Sequence, residues 1–350
     1  MFSPRSASIK SLLARHETVL VLVILFEVIL FQLLGRNFLT GGNVSNIFRH
    51  SVEIGLLAVA MTPVILTGGI DLSVGSMMGL CAVLFGMMVN SLGMDPWMAG
   101  IASVACGALG GGINAVLITR LNLPPLIVTL GTFSLFRGLA EALTKGAESF
   151  SGFAPSFLAL GNASIFGLPA QIWVFFGVAA GIWFLVHKTT FGRSFRAIGY
   201  ASEGARYAGI PVARNTSLAY IIAGAVAGLA AVILVARLGE ARANAGIGYE
   251  LLAITAVVLG GVSIFGGSGT MAGTLLGWIS LAILNNGLTS ISDFKIMDQT
   301  VASVARELSG LLTGLLLLTA LAIGASTKTL AVRRARKLSL TKSTSNPAAP

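Results

Sequence analysis

Apolar runs alternate with short polar connectors along nearly the whole chain, at 18–34, 52–67, 72–92, 96–118, 126–143, 171–187, 217–236, 250–261, 271–287 and 302–323. None shows the strict period-2 alternation of a barrel strand, and a backbone in hydrocarbon must satisfy its polar groups within the element, which leaves helices. The pattern predicts an all-α polytopic membrane protein with about ten transmembrane helices. Composition points the same way. The 350 residues are 55% hydrophobic and only 10% charged, against roughly 25% charged in a soluble domain, and the mean hydropathy is +0.88.

Charge orients the bundle. Arg5, Lys10 and Arg15 precede the first run, Arg120 ends the fourth, and 188–214 is a polar island carrying Lys188, Arg193, Arg196, Arg206 and Arg214 against the single acid Glu203. Basic residues crowd again in the tail, including Arg333, Arg334, Arg336 and Lys337, whereas the alternate connectors and helix ends hold only scattered cations such as Arg36, Arg49, Lys145 and Arg242. By the positive-inside rule both termini are cytoplasmic and the number of spans is even. The expected organisation is a cytoplasmic segment 1–17, a transmembrane domain 18–324 with the cytoplasmic loop 188–214, and a basic tail 325–350. No small-residue cleavage site follows the first run, so it reads as an uncleaved helix. The net charge of +10 follows this distribution and gives no reason to expect nucleic acid.

Glycines mark two places where a helix is interrupted. The first is T-G-G-I-D-L-S-V-G-S from Thr67, where Gly68 and Gly69 permit a tight turn and Asp71 or Ser73 is placed to cap the next helix. The second is the cluster Gly260, Gly261, Gly266, Gly267 and Gly269. Spacings of four at Gly75 and Gly79 and at Gly273 and Gly277 predict close approach of a neighbouring helix. Pro124 and Pro125 open the fifth helix. Polar groups inside apolar runs are few. Glu27 is expected to make a hydrogen bond within the bundle, while Thr129, Arg137, Asn285 and Asn286 suit either interhelical hydrogen bonds or a path for a polar solute.

Catalytic and metal-binding patterns are missing from the chain. Cys81 and Cys106 form no C-x-x-C pair, and His16, His50 and His187 are isolated. No lysine follows a glycine, which excludes the phosphate-binding loop of a nucleotide hydrolase. An ion-coupled secondary transporter would need an ion site, and Glu27, Glu53 and Asp71 are too scattered to form a relay. A channel would need a repeated pore-lining motif.

Four blocks carry a resemblance: T-G-G-I-D-L-S-V-G-S at Thr67, N-L-P-P-L-I-V-T-L-G-T-F-S-L-F-R-G-L-A at Asn122, F-G-R-S-F-R-A-I-G at Phe191, and Y-E-L-L-A-I-T-A-V-V-L-G-G-V-S-I-F-G-G-S-G at Tyr249. In this order they resemble the permease subunits of bacterial ABC importers for ribose, xylose, galactose and related sugars. The run from Gly79 to Asn90 is also similar to permeases for the furanosyl signal autoinducer-2. The resemblance implies an inner-membrane transport subunit that is not itself an enzyme and pairs with a second permease copy, identical or related. ABC ATPase subunits carrying ATP and magnesium would lie beneath it and a periplasmic solute-binding protein above it. It also implies that Phe191, Gly192, Arg193, Arg196, Gly199, Ala205, Arg206 and Gly209 belong to the ATPase-coupling loop. Two departures from the family pattern stand out: Asn114-Ala115 replaces a frequent Asn-Gly pair, and an asparagine common near Ala201 is missing.

Overall fold

The computed structural model describes residues 16–34, 38–290, 295–296, 299–300, 311 and 314–315. Arg5, Lys10, Arg15, Arg36, Arg306, most of the expected helix over 302–323 and the basic tail lie outside the described residues. Twelve helices are described at length: α1 His16–Leu34, α2 Gly41–Leu66, α3 Val74–Asn90, α4 Pro96–Thr119, α5 Pro125–Leu143, α6 Pro155–Asn162, α7 Ala170–Lys188, α8 Thr190–Tyr200, α9 Ser202–Tyr207, α10 Val212–Leu238, α11 Tyr249–Leu259 and α12 Met271–Ser290. Seven of them, α1, α2, α4, α5, α7, α10 and α12, are long and apolar enough to cross a membrane. Three two-residue antiparallel pairs complete the picture: β1 Phe150–Ser151 with β4 Glu240–Ala241, β2 Ser164–Ile165 with β3 Leu168–Pro169, and β5 Lys295–Ile296 with β6 Gln299–Thr300.

Helix ends follow local chemistry. Asp95 accepts from the backbone N–H groups of Trp97 (2.9 Å) and Met98 (3.3 Å) ahead of Pro96, which fits the first helical position. Gly239, at φ 73°, ends α10 in the left-handed conformation. The largest departure from an expected boundary is at α2. α2 starts at Gly41 rather than near 52, because Thr40 accepts from the Asn43 N–H and the Asn43 amide donates to Phe38 O (2.8 Å) and to Asn286 Oδ1 (2.9 Å). Asn43 and Asn46 are therefore helical, not part of a connector.

The core is built around α2, buried from Ser51 to Leu66 except at Ile54, and α10, buried over most of its second half. α4 and α10 approach backbone to backbone. A β-carbon on Gly228 would lie 2.5 Å from Ser103 O, and one on Gly224 would lie 2.8 Å from Gly111 N. Paired small residues at spacing four allow this contact where apolar burial gives helices no preference for each other over lipid. α1 lies at the periphery with large apolar side chains outward, and packs on α12. There Glu27 accepts from Ser280 Oγ through both oxygens, at 2.9 and 3.0 Å, which is the hydrogen bond within the bundle that the sequence suggests.

Candidate functional site

Irregular backbone at membrane depth is tolerated only where its polar groups find partners. The first break, 67–73 between α2 and α3, turns at Gly68, whose φ is 83°. Asp71 Oδ1 accepts from the Ser73 N–H (2.9 Å) and from Ser73 Oγ (2.6 Å). Ser73 thus occupies the N-cap of α3 without capping it, since its hydroxyl is committed to Asp71. The network continues outward: Asn114 of α4 donates to Ser73 Oγ (2.8 Å), and Thr132 of α5 donates to Asn114 Oδ1 (2.7 Å). Thr129 donates to Ile70 O at 3.1 Å. All of these side chains are buried.

The second irregular stretch joins α10 to α11 and dips into the bundle from the other end. α11 has 11 residues, about 16 Å of helix, too short by itself to cross a hydrocarbon core of about 30 Å. Ala241 and Ala243 are buried. Arg137 of α5 donates to Ala243 O, and its two terminal nitrogens each reach Ala245 O at 3.2 Å. The connector also occupies the groove along Gly75 and Gly79. A β-carbon on Gly75 would meet Gly246 O at 2.6 Å, and one on Gly79 would meet Ala245 O at 2.8 Å. The groove along this glycine pair is therefore filled by the turns of the connector, with the Glu250 side chain at the start of α11 also against Gly75.

The four polar residues weighed for a solute path thus separate. Thr129 and Arg137 hold the backbone of the two irregular stretches. Asn285 and Asn286 instead border a cavity of about 440 Å³ between α2, α11 and α12, where Asn286 also exchanges hydrogen bonds with Asn43 at 2.9 and 3.1 Å.

At the basic end, the island 188–214 folds into α8 and α9. Phe195, Ile198 and Ala205 are buried, while Arg193, Arg206, Tyr200 and Tyr207 are exposed. Arg196 is partly buried and donates to Val186 O (3.1 Å). Gly192 lies against the Val186 backbone, and Gly209 turns in open space at φ 79°. Gly199 is the meeting point of the two glycine turns. A β-carbon there would run into the backbone of Leu66 and Gly267 and lie 2.9 Å from Gly266 Cα, while Gly267 N–H itself donates to Leu66 O at 3.0 Å. The turn 260–270 is gripped from two further sides, by His16 Nε2 on Leu259 O (2.7 Å) and by His187 Nε2 accepting from Met271 N–H (3.3 Å). Gly260 and Gly273 face each other across this turn, and Gly261 and Gly269 have positive φ.

Sequence reasoning singles out neither Thr132 nor the pair Gly224 and Gly228, and treats Asn114 only as part of a motif. The two glycines carry a readable signal in their spacing of four, whereas the partners of Asn114 and Thr132 are set by tertiary packing.

A polytopic helical bundle with interrupted helices and a basic helical loop seated against both glycine turns has the architecture of a membrane transport subunit. Residues 43–321 match the family described as the branched-chain amino acid transport system permease component. The chain belongs to this family of ABC importer permeases, and it is a multi-pass inner-membrane protein. It is similar to the autoinducer 2 import system permease protein LsrD of Photorhabdus laumondii, with 37% identity over 87% of this chain and 89% of the relative. The protein of that name in Yersinia pseudotuberculosis is 38% identical over 79% of this chain and 84% of the relative. No solved structure matches the chain. Membership implies an ATPase and a periplasmic binding protein as partners.

Proposed function

We propose that this chain lines the membrane path of an importer for a small, sugar-like solute, with autoinducer 2 the first compound to test because the two relatives are named for its import. The basic end faces the cytoplasm, as expected from the positive charge of the island. α8 and α9 receive the ATPase there through Arg193, Arg206, Tyr200 and Tyr207, and ATP with magnesium stays on that partner. Two permease copies, identical or related, enclose the path, and the binding protein docks at the opposite end.

The observation that carries this reading is the seat of Gly199 against both glycine turns. A contact made by backbone atoms has no side chain to yield, so a displacement of α8 passes to α2 and α12 instead of being absorbed. The secondary-transporter alternative gains nothing from the three acids it would draw on: Glu27 bonds Ser280, Glu53 pairs with Arg237 at 2.8 Å, and Asp71 bonds Ser73. These are separate partnerships and do not form a relay.

The test is gentle purification of the chain with its membrane partners, followed by an ATPase assay with and without binding protein and solute. A co-purifying ATPase that accelerates when both are added supports the reading. Uptake by the chain alone, following an ion gradient and indifferent to ATP, overturns it.

A further inference from the structure

The cavity between α2, α11 and α12 has a polar rim whose free valences can be assigned. Arg237 is held by buried Glu53 and donates from Nη1 toward His50 Nδ1 at 3.2 Å. That contact makes Nδ1 the acceptor and leaves the imidazole proton on Nε2, so His50 presents a donor. Asn285 donates its amide to Leu281 O (3.0 Å) and retains Oδ1 as an acceptor. The Asn46 side chain makes no hydrogen bond among the described residues and offers both. Below the rim lie Ile54, Leu252 and Trp278, the last fixed by its indole N–H on Ser51 O at 2.8 Å.

We propose that this cavity is a binding site, within the permease itself, for a neutral polyhydroxylated solute of pentose or furanose size. The volume of about 440 Å³ falls in the usual range of small-molecule sites, roughly 300–1,000 Å³. A hydroxyl both donates and accepts, so neighbouring hydroxyls need donors and acceptors side by side, as Asn46, His50 and Asn285 provide. Among the described residues, no carboxylate, lysine or arginine lines the cavity. None of the described residues that line it would pair with either charge of an amino-acid zwitterion, and burying an unpaired charge is costly. The apolar floor suits the C–H face of a sugar ring. This inference rests on the import reading, and it adds that the permease contributes to selection after the solute has left the binding protein.

The test uses the complete transporter with Cys106→Ser, Cys81 being buried. Thr289→Cys places a reporter thiol on the cavity wall at a residue whose hydroxyl bonds only Asn286 O, and Ser91→Cys serves as an exposed control outside the cavity. Maleimide labelling is timed with D-ribose, D-xylose, xylitol or autoinducer 2 added without binding protein, and uptake of each is measured separately with binding protein and ATP. At ten times its dissociation constant, a bound probe slows labelling of the reporter thiol by about tenfold and leaves the control thiol unaffected. Adding Asn285→Ala removes the protection. If no polyol protects the reporter while uptake proceeds, the site is refuted and the import reading stands. If a polyol protects but nothing is taken up with ATP, the site stands and the import reading falls. Protection by added phospholipid alone assigns the cavity to lipid and overturns the proposal.

Discussion

Arg137 offers a direct measure of how the connector between α10 and α11 is held. Its guanidinium, itself buried, satisfies two carbonyls, Ala243 O and Ala245 O. Leaving a buried carbonyl unpaired costs about 1–3 kcal/mol. Arg137→Met orphans both, and after allowance for the desolvation that the guanidinium no longer suffers, the connector loses about 3 kcal/mol. Arg137→Lys keeps the charge but lacks the two-pronged fork, so it retains one carbonyl and loses about half as much. Trypsin cleavage at Arg242, an exposed residue of the connector, reads the opened population directly when reclosing is fast. Expected rates rise about a hundredfold for Met and about tenfold for Lys, normalised to cleavage at exposed Lys145. Cleavage of Arg137→Met at the wild-type rate would show that the connector is held by something other than this side chain.

Other substitutions probe the remaining contacts. Gly199→Ala drives a β-carbon into the backbone of both glycine turns, whereas one at Gly204 meets only Ala201 Cβ at 3.5 Å; solute-stimulated ATP hydrolysis should fall for the first and stay normal for the second, and equal behaviour refutes the joint. Arg193→Glu with Arg206→Glu reverses charge on exposed residues without touching the Arg196 bond to Val186 O, so the protein should insert and melt normally yet lose co-purifying ATPase, a result that normal uptake would contradict. Glu27→Gln keeps an acceptor for Ser280 Oγ; uptake should retain its pH profile and the helix pair its stability, and a changed profile would point to proton movement through this residue.

What the sequence makes legible follows the range of the forces involved. Membrane-length runs are visible because hydrocarbon demands them, and the breaks at 67–73 and 260–270 are visible because turns with φ near 80° require glycine. Partners distant in sequence are a different matter. Thr129 and Arg137 stand out as polar residues on apolar helices, but nothing local tells that they bond Ile70 O and the Ala243 and Ala245 carbonyls. The start of α2 is obscured for the same reason: Asn43 resembles a connector residue until Asn286 is seen to satisfy it. The spacing at Gly75 and Gly79 signals a groove without saying whether a helix or a run of turns fills it.

The joint and the cavity lie on the same two helices. Leu66, at the end of α2, and Gly267, just before α12, are bonded where Gly199 rests on them, and Asn46 and Asn285 border the cavity far along those same helices. Between these levels, among the described residues, α2 and α12 are tied by a buried hydroxyl pair, Thr62 Oγ1 to Thr274 Oγ1 at 2.9 Å, and nearer the cavity by the Trp278 indole on Ser51 O. Two stiff rods packed side by side rock about such a contact as levers: spreading their basic ends would close the opposite ends, and drawing the basic ends together would open them. Thr62→Val with Thr274→Val removes both hydroxyls and leaves no orphan, so it should spare stability. If the pair fixes the fulcrum, that double variant should weaken the link between ATP hydrolysis and labelling of the Thr289→Cys reporter while both partial reactions persist. Unaltered coupling would place the pivot elsewhere, with the glycine contacts of α4 and α10 the next position to test.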